Sequence, residues 1–148
     1  MRIISLLVGI FFIAGSPPLG RASDEMKAVP FHLSGPNGSA FNYPRDVKNK
    51  VLVVNFFASW CTTCEEEIPQ LKSLSVAHPE AVYIGINVGE NEKKATRFVE
   101  RNGYPWPVVI DADKAIAKKF GIIGIPTTLV ISKTGDIVFR GPRPPQAL

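Results

Sequence analysis

Cys61 and Cys64 are the only cysteines in this 148-residue chain, so each has only the other as an intramolecular partner. A pair spaced this way suits reversible exchange between a disulfide and two thiols. It also suits a static cross-link, haem attachment or a metal site. Haem attachment requires His directly after the second cysteine, where the chain has Glu65, and a zinc site would have to draw on His32 and His78. Exchange is the chemistry that the surrounding residues favour.

Val51 to Phe57 is an apolar run broken only by Asn55, as expected of a strand buried on both faces of a sheet. Beyond Trp60, the residues Cys64, Ile68, Leu71 and Leu74 recur at steps of three and four, which predicts a helix starting at Cys61. Two residues three apart on a first helical turn share one side and can form or break a disulfide without moving the backbone. The free amides and dipole of the helix start favour a thiolate at Cys61, the attacking form. Cys61 is therefore the expected nucleophile, and Cys64, one turn deeper, the thiol that resolves the mixed disulfide. Pro69 is expected to kink the helix by removing a backbone hydrogen bond and crowding the preceding turn.

The remaining elements alternate. Residues 29–33 and 40–43 flank a Gly-Pro-Asn-Gly turn and read as a hairpin. Strands are expected over 81–88 and 107–110, and helices over 91–101, between Asn91 and Gly103, and over 113–120. Residues 127–132 and 136–140 read as a closing hairpin. This order predicts an α/β fold with a central mixed sheet flanked by helices. The tail at 142–148 holds three prolines and cannot supply a final helix, which would leave one sheet face partly uncovered, awaiting a partner or lowering stability.

Residues 1–22 read as a signal peptide: Arg2, an apolar stretch over 3–15, and small residues Gly20 and Ala22 before a cleavage site after Ala22. The stretch is shorter than the roughly 20 residues of a spanning helix, so anchoring through 3–15 is the lesser alternative. Residues 23–28 are then a short tether and 29–141 the domain. Cleavage removes Arg2 and Arg21 and no acids, lowering the formal charge from +4 to +2. Basic residues are scattered among acids, which excludes a nucleic-acid stripe. The implied compartment is oxidising, periplasmic or outside the cell.

The run from Val51 to Cys64, together with Glu67-Ile68-Pro69 and Gly124-Ile125-Pro126-Thr127-Thr128, resembles the TlpA-like and ResA-like thiol–disulfide oxidoreductases of the thioredoxin superfamily. The resemblance extends from about Val29 to Gly141 and implies a thioredoxin-like fold in which residues 87–112 supply the family's extra helix and strand. It further implies a cis Pro126 facing the disulfide, with the Ile125 backbone free to pair with an extended substrate. Trp60 would shield the site and contact partners. Asn55 stands where ordinary thioredoxins have a buried acid, and Glu67 resembles an acid that the family keeps near its disulfide; otherwise Glu67 is a solvated helix-start residue like Glu65 and Glu66.

By that resemblance the chain is an exported protein-disulfide oxidoreductase with protein thiols and disulfides as substrates, a membrane thiol donor, and cytochrome c maturation as one pathway. No organic cofactor or metal is implied, since the dithiol is the redox group. The dipeptide Thr62-Thr63 departs from the family and leaves the direction of electron flow open. The three acids at 65–67 oppose a thiolate, which favours a reductase over a strong oxidant. A peroxiredoxin-like peroxidase is the rival enzyme, but Ala58 occupies the place of its usual Thr. A binding module that holds copper or merely stiffens its surface with the cysteine pair is the rival from another class.

Overall fold

The computed structural model describes residues 26–148. The expected signal peptide at 1–22, its cleavage site and the first part of the tether lie outside the described residues.

The buried run at 52–57 forms the middle of the sheet. Strand β3 (Leu52–Phe57) has all six residues buried, because it pairs on both edges and is covered on both faces. The sheet order is β5 (Val108–Asp111), β4 (Val82–Val88), β3, β6 (Thr127–Ile131), β7 (Ile137–Gly141). Strands β3, β4 and β5 run parallel, and β6 and β7 add antiparallel, giving the expected mixed sheet. The hairpin of β1 (Phe31–Ser34) and β2 (Ala40–Tyr43) forms a separate two-stranded sheet.

Alternation along β3 divides the core. Leu52, Val54 and Phe56 point to the face covered by the hairpin and by α4 (Ala115–Lys119), meeting Phe31, Phe120 and Leu129. Val53 and Phe57 point to the other face, covered by α1 (Thr62–Glu66), α2 (Ile68–Ala77) and α3 (Glu92–Asn102). Helix α3 starts at Asn91, whose side chain accepts the Lys94 amide, and ends at Gly103 in the left-handed conformation that favours glycine.

Three local readings are corrected. The first helix is not merely kinked: it breaks at Glu67 into α1 and α2, with Pro69 in the first turn of α2. Helix α4 is shorter than 113–120, because Lys114 adopts a left-handed conformation and the first turn is capped by carboxylates. Asp113 accepts the Ala115 amide, and the buried Asp111 accepts those of Ile116 and Ala117. Finally, the exposed apolar strand surface is narrower than expected, confined to the edge strand β7, where Val138 is exposed and no residue is buried. No helix follows β7 among the described residues, yet Val53 and Val130 are buried and the tail folds back along α2. There Pro144 is buried and its carbonyl accepts from Gln70 Nε2 at 3.0 Å, while the Leu148 amide approaches His78 Nε2 at 3.3 Å. The tether is partly structured as well: Met26 and Ala28 bond to Ile137 and Gly135 beside β7.

Candidate active site

The loop leaving β3 delivers Cys61 to the start of α1, where it forms a disulfide with Cys64 at a Cα–Cα distance of 5.2 Å. Cys61 caps the helix: its Sγ accepts the Cys64 amide at 3.2 Å, an interaction that favours negative charge on this sulfur once the bond is opened. Cys61 is 7% exposed and Cys64 fully buried, so the first cysteine is the one that an outside reactant meets. Both sit in a cluster with Phe57, Ile68, Phe98 and Val108.

The Ile125–Pro126 bond is cis, as the resemblance implied, and Ile125 packs against the cysteine cluster. A second cis bond, Tyr43–Pro44, carried no signal in the sequence. Trp60 stands directly before Cys61. It is 71% exposed and forms, with Lys114, Lys118 and the 121–125 segment, the wall of a cleft of about 930 Å³.

Glu67 is not solvated: it is 5% exposed and its Oε1 accepts from Asn55 Nδ2 at 2.6 Å. Asn55 Nδ2 also reaches Thr128 Oγ1 at 3.3 Å, tying β3, β6 and the helix break into one polar group inside an apolar layer. Burial pushes the Glu67 carboxyl up to about 7, against the Asn55 hydrogen bond and the Arg143 guanidinium, which both pull it down. Glu67 is therefore about half protonated near neutrality and opposes a thiolate less than a full charge would. Of its neighbours, Glu66 is exposed and Glu65 faces Arg101 at 3.5 Å.

Sequence reasoning missed a second buried acid. Glu90, in the loop after β4, accepts the Ser59 amide at 2.7 Å, the Ser59 hydroxyl at 2.6 Å and Asn87 Nδ2 at 2.8 Å. Burial works to raise this carboxyl, but the Ser59 and Asn87 hydrogen bonds and the nearby Lys94 hold it below the ordinary glutamate range. Glu90 thus clamps the loop two residues before Cys61. An acid next to a helix cap gives no hint of this, since its partner lies 31 residues earlier.

Among the described residues, no group of three or more His, Cys, Asp or Glu is placed to hold a metal, and no helix is long and apolar enough to cross a membrane. A dithiol pair opening a helix beside a cis-proline loop, on a mixed sheet of this order, defines a thioredoxin-fold thiol–disulfide oxidoreductase. The Redoxin family model matches residues 21–146, and the chain belongs to that family. It is 32% identical to the thiol-disulfide oxidoreductase ResA of Halalkalibacterium halodurans, over 93% of this chain and 80% of that protein. It is 29% identical to the sporulation thiol-disulfide oxidoreductase A of Bacillus subtilis, over 93% and 85%. The solved structure of StoA from Bacillus subtilis superposes with a TM-score of 0.65 at 26% identity, covering 77% of this chain and 87% of that one.

Proposed function

We propose that this protein is exported and reduces disulfides in other proteins. The carrying observation is the Cys61–Cys64 pair opening α1 with the buried Glu67 carboxyl at the helix break directly after it. The Cys61 thiolate attacks a substrate disulfide, forming a mixed disulfide and releasing one substrate thiolate. Cys64 then gives its proton to Glu67 and attacks Cys61 Sγ. The second substrate thiolate leaves and takes up a proton, and two electrons have passed to the substrate. A membrane thiol donor restores the dithiol by the reverse exchange. Trp60, Ile125 and Pro126 contact the substrate chain, the first two from the wall of the cleft. Maintenance of free cysteines for haem attachment during cytochrome c maturation fits such a reductant.

The reduction potential of the pair tests the direction. A value near that of thioredoxin, about −270 mV, supports the reductase, whereas one near DsbA, about −120 mV, makes the protein an oxidant. Peroxide consumption by the reduced protein would instead establish the rival peroxidase.

A further inference from the structure

Asn55 Oδ1, Glu67 Oε2 and Tyr104 Oη are buried polar atoms without a hydrogen-bond partner. Sheet register brings them together. Asn55 lies opposite Thr128 on β6 and Gly85 on β4, so these three positions share one face. Gly85 has no side chain, and the Tyr104 ring shares that room with Phe57 and Val108: a Cβ built on Gly85 would lie 3.3 Å from Tyr104 Cε1, 3.0 Å from Phe57 Cε1 and 3.1 Å from Val108 Cγ2. Cε1 adjoins the carbon that bears the hydroxyl. The edge of the ring next to the hydroxyl therefore lies by Gly85, the residue paired with Asn55 on a neighbouring strand, and neighbouring strands are about 4.8 Å apart. Asn55 in turn holds Glu67. The ring is fixed by Phe57 and Trp106, at centroid distances of 5.2 and 5.3 Å.

We propose that Tyr104 is a positioning residue for Glu67, its hydroxyl donating to the Glu67 carboxylate, directly or across one water, when that carboxyl ionises. Burial and the Glu67 charge both push the Tyr104 hydroxyl upward, so it stays protonated and offers a donor to an anion. An ionised Glu67 with Oε2 unpaired is costly, and Tyr104 supplies the missing partner. The proton acceptor proposed for Cys64 is then available over a wider range of pH. This consequence rests on that proposed role, whereas the coupling itself rests on geometry. The other charged groups about Glu67 are Arg143 from the tail and Glu66, which share with it a cleft of about 180 Å³. Arg101 on α3 is engaged by Glu65, and strands β3 and β6 contribute only the neutral Asn55 and Thr128. Tyr104→Phe alters none of these.

Carboxyl-carbon NMR of Glu67 in the unaltered protein and in Y104F decides the matter. The midpoint is expected to rise in Y104F by about one unit, the size of one hydrogen bond to a charged group. The low-pH limb of the resolution rate shifts upward with it. An unchanged midpoint, with Y104F melting at a higher temperature, marks an isolated hydroxyl and overturns the proposal. Should Y104F not fold, the Tyr104 ring resonances of the unaltered protein serve: they are expected to titrate with Glu67 and to stop doing so in E67Q, and ring signals blind to Glu67 overturn the coupling. A resolution rate indifferent to E67Q would sink the acceptor role of Glu67 while leaving the coupling to the titration.

Discussion

The two faces of the central sheet are built from one strand and differ in kind. From β3, one face receives Leu52, Val54 and Phe56, which join a continuous apolar cluster under the hairpin and α4. The other receives Val53, Asn55 and Phe57, and there the apolar layer is interrupted by Asn55, Glu67 and Thr128, next to the helix that carries the cysteines. Apolar packing stabilises without regard to pH, whereas a buried carboxyl stabilises or destabilises according to its charge. The comparison separates a face to which β3 gives only apolar side chains from one where a carboxyl with a raised titration point sits against the β3 layer.

The largest expected effect is on the second face. Cys61→Ser should abolish disulfide exchange while leaving the melting curve cooperative, and Cys64→Ser should trap mixed disulfides visible by mass. On the first face, Phe56→Ala should cost about 3 to 5 kcal/mol in denaturant unfolding, since Phe56 is fully buried beside Phe120. Its surviving folded fraction should show the same pH dependence of exchange. A shifted pH profile would mean that the two faces are not separable.

Glu67→Gln sharpens the contrast. Between 4.5 and about 7 the unfolded chain has lost a proton that the folded chain keeps at Glu67, so stability falls as pH rises through that window. The fall is on the order of 3 kcal/mol, is complete above the upper value, and should vanish in E67Q. Unfolding measured at pH 4 and pH 8 checks it, and identical slopes in both proteins would remove Glu67 as the cause. Smallest is Ser59→Ala, about 1 kcal/mol, because Glu90 keeps the residue-59 amide and Asn87.

What could be read from the sequence was periodic or local. The apolar run of β3 and the spacing of Cys64, Ile68, Leu71 and Leu74 announced their elements, and Asn91 and Gly103 bracketed α3 within a residue. Cys61 and Cys64 were evident from spacing alone. The environment of Glu67 was legible only in part: its place three residues after Cys64 and the family resemblance set it apart from Glu65 and Glu66, but local sequence left a solvated acid equally open. Its burial follows from Asn55, twelve residues earlier, and from Thr128 across the sheet. The Glu90 clamp and the Asp111 cap likewise join side chains to amides across turns, where composition carries no period to detect. The tail was misjudged for a related reason: prolines forbid a helix, but they do not forbid packing.

The bonds from Met26 and Ala28 to the start of β7 bear on how the molecule meets its own kind. Strand β7 closes the sheet on one side, and an outermost strand offers bare amides and carbonyls as a template for a neighbouring chain. The Ile137 amide donates to the Met26 carbonyl at 3.0 Å and the Ala28 amide to Gly135 at 2.8 Å, with Lys27 paired to Asp136 between them. A short segment thus covers the start of that edge, from Gly135 to Ile137. Proteolysis that removed residues through Ala28 would leave the cysteines and their chemistry in place and yield a protein that self-associates, edge against edge, at concentrations where the longer chain stays dispersed.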